Sequence, residues 1–310
     1  MRPLRVGRPV RSPSVAGFAP ARRAAKWKVA AALCAALGAA AARADGPQQA
    51  CAGAAEAIPA SAERAPGARE FMASVARLGD HERDAAMRRE LLAGNLPHFL
   101  RRLLPATLKV RLHDGRSVQL TLCVMSDYLG LGSDRDFIRV PLGLDSALAV
   151  ASRFGFMLPT RRIVDLIYRS AEVRLAPQPL PASDQMRSTA YLLQHEALVA
   201  QQRAALAAAP GALTAGHKKD LVLSERLWQQ PGRVAIYGWH RPDGKPIQGL
   251  STVHGARYAD YSHGVRLVSQ TLLVDGRPAR LLDVLADPQL GPLLSDEGPV
   301  PVDCQRYPAH

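Results

Sequence analysis

LKVRLHDGRSVQLTLCV, residues 108–124, carries the clearest structural pattern in the sequence. Apolar side chains alternate with polar ones on both sides of Asp114-Gly115, a dipeptide that favours a tight turn. Alternation of this kind puts the apolar residues of each run on one face of a strand. The stretch therefore predicts a β-hairpin with one buried and one polar face.

Helical spacing of apolar residues flanks this hairpin on both sides. Before it, Phe71, Val75 and Leu78 predict a helix, and a second helix is expected between Asp80 and Gly94. After it, we expect a strand at 137–142, helices at 145–154, 161–173 and 188–208, short strands at 221–223, 234–240 and 265–274, and a short helix at 280–286. Helices and hairpins in separate blocks are typical of an α+β fold, here N-terminal helices and a β-hairpin, central helices and C-terminal antiparallel strands.

The first 44 residues have the pattern of a secretory signal peptide. A basic stretch from Arg22 to Lys28 precedes an apolar run from Val29 to Ala42, and Ala42-Arg43-Ala44 fits the cleavage pattern. Cleavage after Ala44 would leave a flexible segment at 45–68 and a single α+β domain at 69–310, with a candidate sub-boundary at the prolines near 177–187. We therefore expect a periplasmic or secreted protein.

Removal of the signal peptide changes the charge balance. The chain has 40 Lys and Arg against 27 Asp and Glu, but nine of the basic residues and none of the acidic ones lie in residues 1–44. The mature chain would carry 31 basic residues and a net charge of +4, with no basic stripe. This balance argues against a nucleic-acid partner, and no later apolar run predicts stable membrane insertion.

The sequence allows more than one pairing of the cysteines. Cys51, Cys123 and Cys304 would remain after cleavage, and an exported protein can join two of them. A Cys51–Cys304 disulfide would tie the two ends of the mature chain together. Cys123 lies in the alternating strand, which favours a small buried side chain over a nucleophile.

Four of the nine histidines lie between His217 and His263, within three polar phrases. These are GHKKD at 216–220, YGWH at 237–240 and HGARYADYSHG at 254–264. Imidazole, carboxylate, hydroxyl and ammonium groups together supply the roles that a hydrolytic site needs. We therefore predict a site with the following catalytic residues: His217, His240, His254, Asp260 and His263.

Two further assignments accompany this site. His254, Asp260 and His263 provide two imidazoles and a carboxylate, which suit a divalent metal such as zinc with an open position for water; the cofactor is otherwise unknown. The expected substrate contacts are Lys218, Lys219, Tyr237, Trp239, Tyr258, Tyr261 and Ser262. Strand alternation would place Tyr237 and Trp239 on one face and His240 on the other.

Two alternatives compete with this assignment. Ser262 or Tyr261 can act as a nucleophile beside a histidine that Asp260 or Asp220 orients. Tyr258, Asp260, Tyr261 and His263 can instead form a hydrogen-bond network that only positions a loop. The segment that contains Asp127, Asp134 and Asp136 can lie beside the same cleft. These residues then offer carboxylates for calcium or general-acid chemistry, or serve as turn residues that bind backbone amides.

The phrases LPTRRIVD at 158–165, GHKKD, YGWH and DYSHG at 260–264, in this order, resemble a group of exported bacterial proteins of uncharacterised function. The resemblance covers roughly residues 127–298. It implies that the phrases belong to one domain. It implies no activity, substrate or catalytic residue.

The sequence-based hypothesis is an exported hydrolase that acts on a cell-wall or extracellular polymer through a His/Asp site, with or without a metal. The first alternative is a non-catalytic extracytoplasmic module that binds sugar or peptide on an aromatic platform of Tyr237, Trp239, Tyr258 and Tyr261. The second is a structural or interaction protein without a cleft.

Overall fold

The structure, a computed structural model, describes residues 46, 49 and 51–300 of the chain. The predicted signal peptide and Cys304 lie outside the described residues. The described part belongs to one compact unit. None of its helices combines the length and the apolar character that a membrane span needs.

Helices and strands alternate with short loops along the described chain. The helices are α1 Ala68–Ser74, α2 Asp80–Leu92, α3 Leu144–Phe154, α4 Arg161–Ser170, α5 Thr189–Ala205, α6 Arg226–Gln229, α7 Leu281–Ala286 and α8 Gly291–Leu294, with 3₁₀ turns at His98–Arg101 and Asp184–Arg187. The strands are β1 Leu104–Arg111, β2 Ser117–Val124, β3 Gly130–Gly132, β4 Phe137–Arg139, β5 Phe156–Met157, β6 Val173–Arg174, β7 Thr214–Ala215, β8 Lys219–Leu221, β9 Ile236–His240, β10 Pro246–Ser251, β11 His263–Gly264, β12 Val268–Val274 and β13 Arg277–Arg280. The predicted α+β class is confirmed.

The predicted hairpin is confirmed as β1 and β2. The two strands pair antiparallel, with Leu108 opposite Leu120, and Gly115 takes the left-handed conformation in the turn between them. Strand β2 also pairs with β12, and β12 pairs with β13 and with β5. This sheet packs on the apolar side of α4 and α7 through Ile163, Ile167 and Leu285.

Local signals also place the ends of two predicted helices correctly. Helix α3 ends at Gly155, which has a left-handed backbone (φ 75°) as a C-terminal glycine allows. Helix α4 begins after Thr160, whose hydroxyl accepts a hydrogen bond from the Ile163 amide. These two short-range interactions determine where α3 ends and where α4 begins.

A second sheet brings the three polar phrases side by side. Its strand order is β10-β9-β8-β11, so YGWH on β9 and SHG on β11 lie on either side of HKKD, which leads into β8. The pairings of β9 with β10 and with β8 are antiparallel, in line with the predicted C-terminal strands. Strand β11 instead pairs parallel with β8, with His263 opposite Lys219. A parallel pair requires a long connection, which residues 222–262 provide.

A disulfide joins Cys51 to Cys123, 72 residues apart. Both cysteines are buried in the hydrophobic cluster that also contains Ile58 and Met87. The bond therefore ties the start of the described chain to β2. The Cys51–Cys304 pairing considered from the sequence is not formed, and Cys123 is a bonded side chain rather than a free buried one.

Candidate functional site

The five predicted catalytic residues do not share one cleft. His254, Asp260 and His263 lie together, whereas His217 contacts Asp127 and His240 contacts Asp165. The prediction that all five converge is therefore wrong. Adjacent strands bring the phrases close, but neighbouring side chains leave the strands in different directions.

Asp260 organises the first group, which we call the Asp260 centre: His254, Tyr258, Asp260, Ser262 and His263. One carboxylate oxygen, Oδ1, accepts hydrogen bonds from the Ser262 amide (2.8 Å) and hydroxyl (2.6 Å). The other, Oδ2, accepts from the Tyr258 hydroxyl (3.1 Å) and lies 3.9 Å from His263 Nε2. This turn, rather than an extended strand, brings the His263 ring back toward Asp260.

His263 is fully buried, and neither of its ring nitrogens has a hydrogen-bond partner within the described chain. The rings of His254 and Tyr258 stack on each other with centroids 4.0 Å apart. Both rings lie beside the His263 ring, at 5.9 and 5.6 Å. Because His254 and Tyr258 are only partly buried, this stacked pair separates His263 from solvent.

Lys219 provides the positive charge of the Asp260 centre. Its ammonium lies over the Trp239 ring, 5.1 Å from the centroid, and makes no ion pair or hydrogen bond with any side chain in the part of the chain that the structure covers. Burial lowers the pKa of Lys219, and the charge of Asp260 opposes that shift. Lys219 is half-buried, so its ammonium can still meet a ligand.

Burial sets the charge states in this centre. Burial lowers the pKa of His263 to about 4, so the ring is neutral at pH 7. Burial disfavours the charged form of Asp260, but the His263 imidazole, the Ser262 hydrogen bonds and Lys219 outweigh it and lower the Asp260 pKa. A neutral imidazole beside a carboxylate is the charge arrangement of a general base.

His217 belongs to a buried ion network with Asp127, Arg139, Glu196 and Arg203. Asp127 accepts from Arg139 Nε (3.0 Å) and Nη2 (2.6 Å), and Arg139 also pairs with Glu196. His217 Nε2 lies 3.2 Å from Asp127, and Arg203 lies 3.5 Å from the same carboxylate. Burial lowers the pKa of His217 to about 4, against the influence of Asp127. This histidine has a structural environment rather than an open cleft.

Three carboxylates, to which the sequence analysis gave more than one role, have different partners in the fold. Asp127 is a member of the ion network rather than a calcium ligand or surface acid. Asp134 accepts a hydrogen bond from the Phe99 amide, and Asp136 accepts one from the Arg69 amide. These two serve backbone amides, as the alternative for turn residues predicted.

Lys218 and Ser262, two of the predicted substrate contacts, are fully buried. The Lys218 ammonium donates to the Tyr261 carbonyl (2.6 Å) and lies 3.2 Å from His195 Nδ1. Burial lowers its pKa to about 8. Lys218 therefore anchors the loop that carries Asp260 and Ser262, because its ammonium is bound to the protein's own carbonyl.

The aromatic residues are also mostly internal. Trp239 and Tyr261 are buried, and the Tyr261 hydroxyl accepts a hydrogen bond from the Leu180 amide. Tyr237 is buried as well and donates to Asp165. Of the four aromatic residues predicted as a ligand platform, only Tyr258 is partly exposed. The predicted exposed platform is therefore not formed.

His240 lies in a separate cleft with Tyr237, contrary to the predicted alternation. Both side chains bond Asp165 on α4, each at 2.9 Å. The alternation fails because Gly238 (φ 109°) and Trp239 (φ 57°) both have left-handed backbones. These two residues turn Trp239 away and bring His240 to the same side as Tyr237.

Sequence reasoning missed Asp165, Arg139, Glu196 and His195 as members of these polar clusters. Arg139 was the most accessible to inference, because it ends an otherwise apolar strand. His195 lies on the apolar face of α5, where a polar ring needs an internal partner. Asp165 carried no signal beyond its place in the LPTRRIVD phrase.

The metal assignment has no geometric support in the described residues. They contain no group of three or more His, Cys, Asp or Glu side chains placed to hold a metal ion. Within the predicted ligand set, the negative charge of Asp260 acts on both imidazoles. It raises the pKa of His254 and of His263, whereas burial lowers both.

We expect the protein to lose stability as the pH falls from 7.5 to 5. His217 and His263, with pKa values lowered to about 4, stay neutral in the fold but bind protons once unfolded. Each should cost about 2 kcal/mol of unfolding free energy at pH 5, because the unfolded chain then binds more protons. Asp220, with a pKa raised to about 6 by burial, acts in the opposite direction and offsets about 1 kcal/mol.

Urea unfolding at the two pH values measures this effect. Asp220→Asn removes the offset, so this variant should lose more stability than the parent chain over the same pH range. His98→Asn changes an exposed histidine and should follow the parent chain. An unfolding free energy that stays constant or rises toward pH 5 would contradict neutral burial of the two rings.

The chain matches no protein-family model, no curated protein and no solved structure. The functional assignment therefore depends on the contacts, burial and charges of the chain's own residues.

Proposed function

We propose that the protein is an exported hydrolase of a cell-wall or extracellular polymer and that the Asp260 centre is its active site. The proposal keeps three of the five predicted catalytic residues, His254, Asp260 and His263, and one predicted substrate contact with a free charge, Lys219. The observation that carries it is His263: a buried, neutral imidazole with both nitrogens unbonded in the described chain, beside an ionised carboxylate.

In this proposal His263 is the general base. It takes a proton from a water molecule, the hydroxide adds to the carbonyl carbon of an amide or ester, and the electron pair of the carbonyl bond moves to its oxygen. Lys219 is placed to stabilise that negative oxygen. When the tetrahedral intermediate collapses, the imidazolium of His263 returns the proton to the leaving group. Asp260 stabilises the imidazolium in between, as carboxylates do beside catalytic histidines.

Substrate access requires movement of the stacked pair His254 and Tyr258. Both rings are partly exposed, and the Tyr258 hydroxyl is held by one hydrogen bond to Asp260. A side-chain rotation there opens His263 without disturbing the sheet. Movements of this size accompany substrate binding in many enzymes.

Two features support export. The first is the signal-peptide pattern of residues 1–44. The second is the Cys51–Cys123 disulfide, since disulfides persist in the periplasm and outside the cell but are rare in the cytosol. We therefore propose that the substrate polymer is extracytoplasmic.

We expect His263→Asn to lower turnover about 100- to 1,000-fold, the contribution of one general base. Its side chain holds no hydrogen bond in the described chain, so its removal breaks none. The assay is the release of soluble fragments from insoluble cell-wall polymer, with co-sedimentation measuring polymer binding and the melting temperature reporting the fold. His113→Asn, at an exposed position of the hairpin turn, is the matched control and should keep full turnover.

Full turnover in His263→Asn would exclude this residue as the base. Loss of polymer binding together with turnover, at an unchanged melting temperature, would favour the second candidate function, a non-catalytic module that binds sugar or peptide. The burial of Tyr237, Trp239 and Tyr261 counts against its aromatic-platform version.

A further inference from the structure

A cleft lies between α4 and the hairpin of β9 and β10. Its volume is about 370 Å³, within the usual size range of small-molecule sites. Its lining combines carboxylate, guanidinium and apolar groups: Asp165, Tyr168, Arg169, Arg174, Tyr237, His240, Pro242, Asp243, Gly244 and Pro246.

Asp165 is held in place, but only one of its two carboxylate oxygens accepts hydrogen bonds from the described residues. Both Tyr237 and His240 bond the same oxygen, Oδ1, at 2.9 Å. The His240 ring is itself fixed by stacking on Tyr168, with centroids 4.5 Å apart. No hydrogen bond from the described residues reaches Oδ2, and about a third of the side chain is exposed. Two donors thus orient a carboxylate whose second oxygen remains open to a ligand.

Two arginines supply positive charge in the same lining: Arg169 lies one turn after Asp165 on α4, and Arg174 lies on β6. Arg174 donates through Nε to the Tyr168 carbonyl (3.1 Å) and through Nη2 to the Arg169 carbonyl (2.6 Å), which fixes its guanidinium. Arg169 is exposed, and its side chain has no ion pair or hydrogen bond to the residues described. Neither arginine has a carboxylate within 4 Å in that part of the chain.

The remaining acid of the lining does not neutralise these arginines. Asp243 accepts from the Lys245 amide and lies 3.6 Å from Arg241 in its own turn. The lining therefore offers both an unpaired carboxylate oxygen on Asp165 and unpaired guanidinium groups on Arg169 and Arg174. Pro242 and Pro246 give it apolar surface.

We propose that this cleft binds a small zwitterion of the amino-acid type. The ligand's ammonium group meets Asp165 Oδ2, its carboxylate meets Arg169 and Arg174, and its carbon skeleton lies against the prolines. A ligand with both charges can pair with the carboxylate and with the arginines, whereas a simple amine or a simple acid pairs with only one of them. The site is separate from the Asp260 centre and does not depend on hydrolysis there.

Calorimetric titration of the whole protein with four probes tests the proposal. Alanine and dialanine carry both charges, with a shorter and a longer separation; alaninamide keeps only the ammonium group, and N-acetylalanine keeps only the carboxylate. We expect one of the two zwitterions to bind at least about tenfold more tightly than either single-charge probe. The tighter zwitterion identifies a free amino acid or a short peptide as the ligand class.

Two variants assign the two ends. Asp165→Asn should weaken the zwitterion and alaninamide about tenfold or more and leave N-acetylalanine unchanged. Arg169→Gln should weaken the zwitterion and N-acetylalanine and leave alaninamide unchanged. Arg277→Gln, at an exposed position on β13 outside the cleft, is the control. Because Arg169 is exposed, its variant tests the proposal even if Asp165→Asn fails to fold.

The proposal is overturned if both zwitterions bind more weakly than roughly 10 mM to the parent protein. It is overturned equally if Arg169→Gln binds the zwitterion as tightly as the parent does, or if the single-charge probes bind as tightly as the zwitterions.

Discussion

We expect Arg139→Met to lower the free energy of unfolding by about 3–5 kcal/mol, the usual cost of breaking a buried ion pair. Arg139 is almost fully buried and is the main positive charge between Asp127 and Glu196. Its removal leaves Asp127 buried with His217 and Arg203 as its remaining partners. Met fills much of the volume but cannot offer a hydrogen bond.

Urea unfolding measures the loss, and the neighbouring Arg135→Met is the matched control. Arg135 is exposed and has no ion pair to the residues described, so its variant should change the unfolding free energy by less than about 0.5 kcal/mol. The charges of Arg139 and His217 hold the pKa of Asp127 well below its usual range despite burial. Without Arg139 that pKa should rise, so the penalty should shrink as the pH falls.

A double variant separates the charge effect from the loss of packing. Arg139→Met with Glu196→Gln should be less destabilised than the sum of the two single variants, because Glu196 then no longer leaves a carboxylate without its arginine partner. We infer that this network holds β4 against α5 through Arg139 and Glu196. Strictly additive losses of unfolding free energy in the double variant, or a loss below about 1 kcal/mol in Arg139→Met, would contradict this inference.

The elements of this fold were predictable where their signals are local. The hairpin of residues 104–124 needs only alternation and a turn, and the ends of α3 and α4 need only Gly155 and Thr160. Each of these interactions joins residues close in sequence. The local pattern therefore contains the information that determines them.

The site was predictable in composition but not in arrangement. The sequence identified the three phrases, and the sheet places them on adjacent strands. Which carboxylate meets which histidine depends on contacts 75 and 90 residues apart, Asp165 with His240 and Asp127 with His217. Only the residues within one phrase, His254, Asp260 and His263, were correctly grouped from sequence.

Backbone conformation explains why the predicted alternation of side chains in YGWH is wrong. A two-residue period assigns the faces of YGWH if every residue is extended, but Gly238 and Trp239 are not. A glycine permits the left-handed conformation without requiring it, and a tryptophan rarely adopts it. The separate cleft at Asp165 follows from these two dihedral angles.

The second large effect concerns the disulfide. We expect the double variant Cys51→Ala/Cys123→Ala to lose about 4 kcal/mol of unfolding free energy, because the bond closes a long loop in the unfolded chain. The two cysteines are 72 residues apart, and both are buried, so Ala replaces them without adding a polar group to the core. Urea unfolding under non-reducing conditions measures the difference between parent and variant.

Reduction of the parent protein provides the matched comparison. A thiol reductant should lower the stability of the parent toward that of the double variant and should leave the variant unchanged, because the variant has no such bond to lose. Peptide mapping of the unreduced protein should recover Cys51 linked to Cys123. A link from either residue to Cys304 would contradict this pairing. A parent protein insensitive to the reductant, at a concentration that mapping shows to break the bond, would contradict the loop-closure argument, since the entropy of the unfolded chain changes whenever the bond is cut.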